Sequence, residues 1–186
     1  MAPVWNSIAP PVSYSASAKA MHWFVAAAVI VLLALGPVMK RLVPEGALRD
    51  NLYTFHEALG ALVLIVMVVR LIRRLAFGVP APDASMPLIE QRGSLWAQYA
   101  LYVLLFVTTV LGWAGTNAYG DPVNVFGLFD FPTIIGKDQP LSDSIIFWHL
   151  VCGILIGLIV ALHVAGALYH WRVKGDRVLQ RMLPEN

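Results

Sequence analysis

Histidine is the side chain whose placement in this sequence could do chemistry. Five are present, His22, His56, His149, His163 and His170, and each falls within a strongly apolar stretch. An ionisable group is expensive to hold in hydrocarbon, so five such imidazoles point to a site rather than to five separate hydrogen bonds. His149 and His163 are 14 residues apart, which on an α-helix leaves them about 40° apart around the axis and roughly 21 Å apart along it. They share one face at two depths. His56 begins a second apolar stretch near the depth of His149, and His22 lies near the opposite surface in a third. Neutral imidazole is a good axial ligand for haem iron, which takes one ligand on each face of the ring. Pairing by depth therefore predicts an outer haem b between His56 and His149 and an inner haem b between His22 and His163. Two haems stacked in this way would let electrons cross a bilayer.

His170 lies on the same face and stays open as an alternative partner for His22. It is 21 residues from His149, about 31 Å along a helix, a long step between haems in a membrane some 30 Å thick. Left spare, it could hydrogen-bond a haem propionate or a quinone carbonyl, or simply reach the interface. Arg70, Arg73 and Arg74 cluster near the inner end of the second stretch, where they could pair with propionates and also set topology. A zinc or copper site is the rival for a set of histidines. Such sites gather three or four ligands within a few ångströms, and the sequence has no HxxxH or HExxH spacing. The single cysteine, Cys152, excludes an internal disulfide, a CxxC pair and an iron–sulfur cluster, and reads as small apolar filler.

The elements that must position these side chains follow from composition. Of 186 residues, 59% are hydrophobic and 13% charged, with a mean hydropathy of +0.70, against roughly 45–50% and 25% in soluble domains. Lipid is the main solvent. The apolar stretches cover residues 20–39, 52–69, 95–114 and 145–171, each near or above the length a helix needs to span hydrocarbon. Helices satisfy their own backbone in lipid and none of the stretches alternates like a barrel strand, so all four are read as helices. The fold class is all-α, an integral membrane four-helix bundle with haems between helices. Residues 1–17 form an N-terminal segment, 18–175 the transmembrane domain and 176–186 a tail. Linkers are marked by Val43-Pro44-Glu45-Gly46, by Pro80-Ala81-Pro82-Asp83 and by a 30-residue loop around Gly120-Asp121-Pro122.

Nine of the cations, Lys19, Arg70, Arg73, Arg74, Arg92, Arg172, Lys174, Arg177 and Arg181, fall on one side, against Lys40, Arg41, Arg49 and Lys137 on the other. The positive-inside rule then predicts cytoplasmic termini and outward first and third loops in a bacterial inner membrane. Trp23, Trp96 and Trp171 fall near the inner interface and Trp113 and Trp148 near the outer one, as anchoring indoles do. The N-terminal segment has no basic residue ahead of an apolar core, so it is not read as a signal peptide. A net charge of +2 offers no broad basic field for nucleic acid. Gly60, Gly112, Gly153 and Gly157 lie inside spans, where a missing side chain admits a flat macrocycle or a neighbouring helix, with helix packing the larger share.

From about Ala18 to Pro184 the chain resembles the bacterial cytochrome b561 family, four-helix di-haem membrane cytochromes that exchange electrons with quinones. The residues that carry the likeness are Met21-His22-Trp23, Met67-Val68-Val69-Arg70-Leu71 with Arg74, Trp148-His149, Leu162-His163 and Arg181-Met182-Leu183-Pro184. The resemblance implies haem ligation by His22, His56, His149 and His163. Some members look like superoxide oxidases, which pass electrons from superoxide at the outer face to ubiquinone. Others resemble cytochrome b subunits that anchor a dehydrogenase or hydrogenase and relay its electrons. A superoxide donor would approach along cations such as Lys40, Arg41, Arg49 and Lys137, although Asp121, Asp130, Asp138 and Asp143 share the third loop. Ile146 and Gln98 stand where the superoxide-oxidising type is expected to carry a basic residue and a histidine.

Overall fold

A computed structural model describes residues 13–82 and 86–183 of the chain. Residues 1–12 of the N-terminal segment, Asp83 of the second linker and Pro184 of the tail motif lie outside the described residues. Four long helices follow in order: α1 (Ala16–Arg41), α2 (Ala47–Phe77), α3 (Leu88–Tyr119) and α4 (Gln139–Tyr169). All four are long and apolar enough to cross a membrane, and the described residues form no strand beyond one isolated bridge, Asn124 to Asp130. α1, α2 and α3 outrun their apolar stretches at both ends and α4 at its start, because polar and charged end residues, such as Arg70 to Arg74 of α2, continue the helix past the hydrocarbon. As a result, the third loop is confined to residues 120–138, shorter than the 30 residues expected.

Local chemistry sets the ends. Ser15 caps α1, its hydroxyl accepting from the Ala18 amide, and Asp138 caps α4, its carboxylate accepting from the Leu141 amide at 3.0 Å with Pro140 in the first turn. Gly78 and Gly120 end α2 and α3 with φ of 68° and 118°, which a side chain would resist. Past α4, His170–Lys174 runs on as a π-helical turn, and the tail then folds back over the bundle. Trp23 Nε1 donates to the Met182 carbonyl at 2.7 Å and Arg181 donates to the Ala81 carbonyl at 2.7 Å. These bonds bring the start of α1 and residues 181–182 of the tail to one end of the bundle, where the basic residues gather.

Close packing joins α1 to α2, α2 to α3 and above all α3 to α4. At the α3–α4 seam Gly115 lets Ile146 lie directly against the α3 backbone, and the buried Ser142 hydroxyl donates to the Gly115 carbonyl at 2.9 Å. α4 does not pack closely against α1 or α2. What joins them is one apolar layer at mid-height: Val25 and Val29 of α1, Leu59, Val63 and Met67 of α2, and Ile156 of α4. The third loop folds onto the other end of the bundle, with Val123 and Val125 buried against Ala61 of α2 and Phe131 and Trp113 beside them.

Candidate functional site

The gaps between α4 and its two neighbours are where the histidines meet. His56 of α2 faces His149 of α4 with ring centroids 6.1 Å apart and planes at 69°. His22 of α1 faces His163 of α4 at 6.4 Å and 63°. One pair lies on either side of the Val25–Val63–Ile156 layer, and Ile156 is seven residues from both α4 histidines, on their face of the helix.

Three observations test whether these pairs fit a haem. A metal midway between centroids 6.1 Å apart is about 3 Å from each, and removing a ring radius of about 1 Å leaves roughly 2 Å, the length of a metal–imidazole bond. Second, His149 Nδ1 lies 2.8 Å from the Thr108 carbonyl of α3. A carbonyl only accepts, so Nδ1 carries the proton and Nε2 keeps its lone pair for a ligand, the second-shell arrangement usual for metal-bound histidine. His56 Nδ1, in contrast, is buried without a partner among the described residues. Third, a Cβ built at Gly60 or Gly153, each one turn from a histidine of this pair, meets nothing within 4 Å. These two glycines border open space, where helix packing was expected, and leave room for a flat ring. The residues present fit the group.

Gly112 has a different role. A Cβ there would come within 3.1 Å of His149 Cε1 and 3.2 Å of its Nδ1, so the glycine is the notch through which His149 reaches the α3 backbone. Sequence reasoning missed the Thr108 carbonyl altogether, because a backbone acceptor has no signature in residue type. Glu57, next to His56, was also missed; its carboxylate accepts from Thr116 at 3.1 Å, and an acid inside an apolar stretch was the available signal.

The remaining predicted residues separate. Arg70 Nη2 lies 3.3 Å from His22 Nδ1, and its guanidinium stands over Tyr102. Arg74, one turn on, is directed to α3, where it bonds Gln98 at 3.4 Å and lies over Tyr99 and Tyr102. His170 is not brought to His22. Its Nδ1 is 2.5 Å from Asp176 and its Nε2 3.7 Å from Glu90, whose carboxylate also holds Lys174. Among the described residues no group of three or more His, Cys, Asp or Glu is arranged to hold a metal ion, so the imidazoles meet only in twos.

The chain matches the family described as prokaryotic cytochrome b561 over residues 13–185. It belongs to that family. Cytochrome b561 homolog 2 of Escherichia coli (strain K12) is 28% identical over 176 residues, covering 93% of this chain and 92% of the relative. Cytochrome b562 of Cereibacter sphaeroides is 25% identical over 172 residues, covering 88% and 90%. As a cytochrome b561 family member the chain is a multi-pass bacterial membrane protein of the electron-transferring b-type cytochromes. Its four helices and the gaps beside α4 suit that role.

Proposed function

We propose that this cytochrome moves electrons across the inner membrane through two haems b, one held by His56 and His149 and the other by His22 and His163. The observation that carries the reading is the pair of facing imidazole couples at two depths on one side of α4. Bound haem supplies a one-electron iron couple, and the protein's part is to hold, insulate and orient. Thr108 fixes the His149 tautomer through its carbonyl. At the inner couple the guanidinium of Arg70 can only donate, so in the present contact His22 Nδ1 accepts. If His22 held a haem through Nε2 its ring proton would have to sit on Nδ1, and Arg70 would then be available to pair with a propionate. The apolar layer around Ile156 keeps water out between the two couples.

With the basic end cytoplasmic, as the positive-inside rule has it, the first-choice donor is superoxide at the outer face and the acceptor is ubiquinone at the inner one. Two superoxide ions give up two electrons and leave as dioxygen; ubiquinone takes the two electrons and two protons to become ubiquinol. Arg49, its side chain paired with Glu45 at 3.4 Å, and Lys137, packed over Gly120, are the outer cations that would draw an anion in. His170, its Nδ1 engaged by Asp176, would donate to a quinone carbonyl at the inner end only through Nε2, with the ring doubly protonated.

A second reading, a relay for a partner redox subunit, is favoured by one feature. The tip of the outer loop exposes Phe126, Leu128 and Phe129, with Leu128 at 79%, an apolar surface on which a second polypeptide could dock. The haem-loaded protein, purified alone and given enzymatically generated superoxide and a short-chain ubiquinone, distinguishes the two. Quinol formation that disappears in His149→Ala is expected. Haem reduction only when a second polypeptide is added would overturn the superoxide reading in favour of the relay.

A further inference from the structure

A cleft of about 390 Å³ opens toward lipid between α2 and α3 at the basic end of the bundle. Its walls are apolar, formed by Leu71, Leu75, Val103 and Phe106, and its polar floor is Arg74 with Tyr99 and Tyr102. Arg74 sits in the last turn of α2, the depth of a headgroup, and is half-buried. Its guanidinium lies 5.5 Å from the centroid of Tyr99 and 5.6 Å from that of Tyr102. Among the described residues its one hydrogen bond is a long one, 3.4 Å to Gln98 Oε1. No carboxylate among the described residues pairs with Arg74, and none lines the cleft.

A planar guanidinium whose donors are mostly unused, held rigid by two aromatic faces, is built to take the oxygens of a phosphate. The walls around it suit acyl methylenes. Arg70 and Arg73 add positive potential from the same end of α2, while the cleft offers no carboxylate to the ammonium of a zwitterionic headgroup and its two tyrosine rings already face Arg74. Arg70 faces His22 and Arg74 faces α3, so the two guanidiniums serve different anions. We propose that the α2–α3 cleft binds one anionic phospholipid, its phosphate on Arg74 between Tyr99 and Tyr102 and one acyl chain along Leu71, Leu75 and Phe106. The lipid would wedge the two helices at the end where α2 and α3 diverge into the linker.

The test is native mass spectrometry of the haem-loaded protein released from nanodiscs of equal parts dioleoylphosphatidylglycerol and dioleoylphosphatidylcholine. About one phosphatidylglycerol per chain is expected to survive stepwise activation, with no matching phosphatidylcholine. Arg74→Gln should lose that adduct at unchanged haem content, Arg74→Lys should keep it in part, and Val103→Trp, which fills the cleft from its lipid-exposed rim, should lose it with the arginine intact. Retention in both Arg74→Gln and Val103→Trp, equal retention of the two lipids, a ubiquinone adduct in place of the lipid, or loss of haem from Arg74→Gln would overturn the proposal.

Discussion

His149 of α4 donates from Nδ1 to the backbone carbonyl of Thr108 on α3, 2.8 Å away, across the notch left by Gly112. This bond aims the ring at His56 rather than along its own helix, and ties the outer couple to the tightest seam of the bundle. Gly112→Ala places a methyl about 3.1 Å from the imidazole, too close unless ring or helix yields. The expected cost is about 1–3 kcal/mol of stability, together with a shifted outer-haem potential and an unshifted inner one. Redox titration of the two spectral components in the variant checks this, and equal shifts in both would show that the notch does not act through His149.

Removal of the ring itself separates the two couples. On the proposed pairing, His149→Ala should lower the haem-to-protein ratio from two to one in a pyridine haemochrome assay, because His22 and His163 lie beyond the apolar layer from His56 and His149. Loss of both haems, or of neither, would refute the pairing.

Arg70 stands 3.3 Å from His22 and has no carboxylate partner among the described residues. A fixed positive charge beside a haem favours its reduced form. Arg70→Gln is therefore expected to lower the inner-haem potential by about 60 mV, equivalent to a tenfold change in a one-electron equilibrium. An unchanged inner potential, read by potentiometry, would detach Arg70 from that site.

Much of this arrangement was legible before any coordinates. The spacing of His149 and His163 placed both on one face of α4, and hydropathy marked four helices, because period and apolar length are properties of residue type. The helix ends were less legible: charged turns such as Arg70 to Arg74 continue the helix where hydropathy has already fallen. Depth alone also left His170 open beside His163. The choice depends on which carboxylates approach from α3 and the tail, and Asp176 and Glu90 hold His170 away from His22. Least legible was the Thr108 carbonyl, which any residue at position 108 would supply.

Asn117, 2% exposed, ties the third loop at two points, donating to the Asp121 carbonyl at 3.2 Å and accepting from the Ile134 amide at 3.0 Å. Asn117→Ala removes both bonds; Asp121 and Ile134 are exposed and their freed groups can turn to water, so the cost is about 0.5–1.5 kcal/mol per bond. Limited proteolysis should then cut within residues 120–138, and the outer haem should exchange faster while the inner one is retained. A loop as resistant as the wild type would show that Val123 and Val125 hold it unaided.

Ile156 occupies the midpoint between the couples, 2% exposed and packed on Val25, Val29 and Val63. In a water-soluble core, Ile→Ala costs about 2–5 kcal/mol, part of it from transfer of apolar surface out of water. In a bilayer the separated helix faces lipid tails instead of water, so that part is largely missing and only the lost packing remains. Ile156→Ala should therefore cost about 1–2 kcal/mol in a detergent denaturation series and leave both haems bound, because neither couple uses its side chain. A loss above about 4 kcal/mol would mean that water enters the cavity and reaches the histidines, a result that faster exchange of both ring protons should accompany.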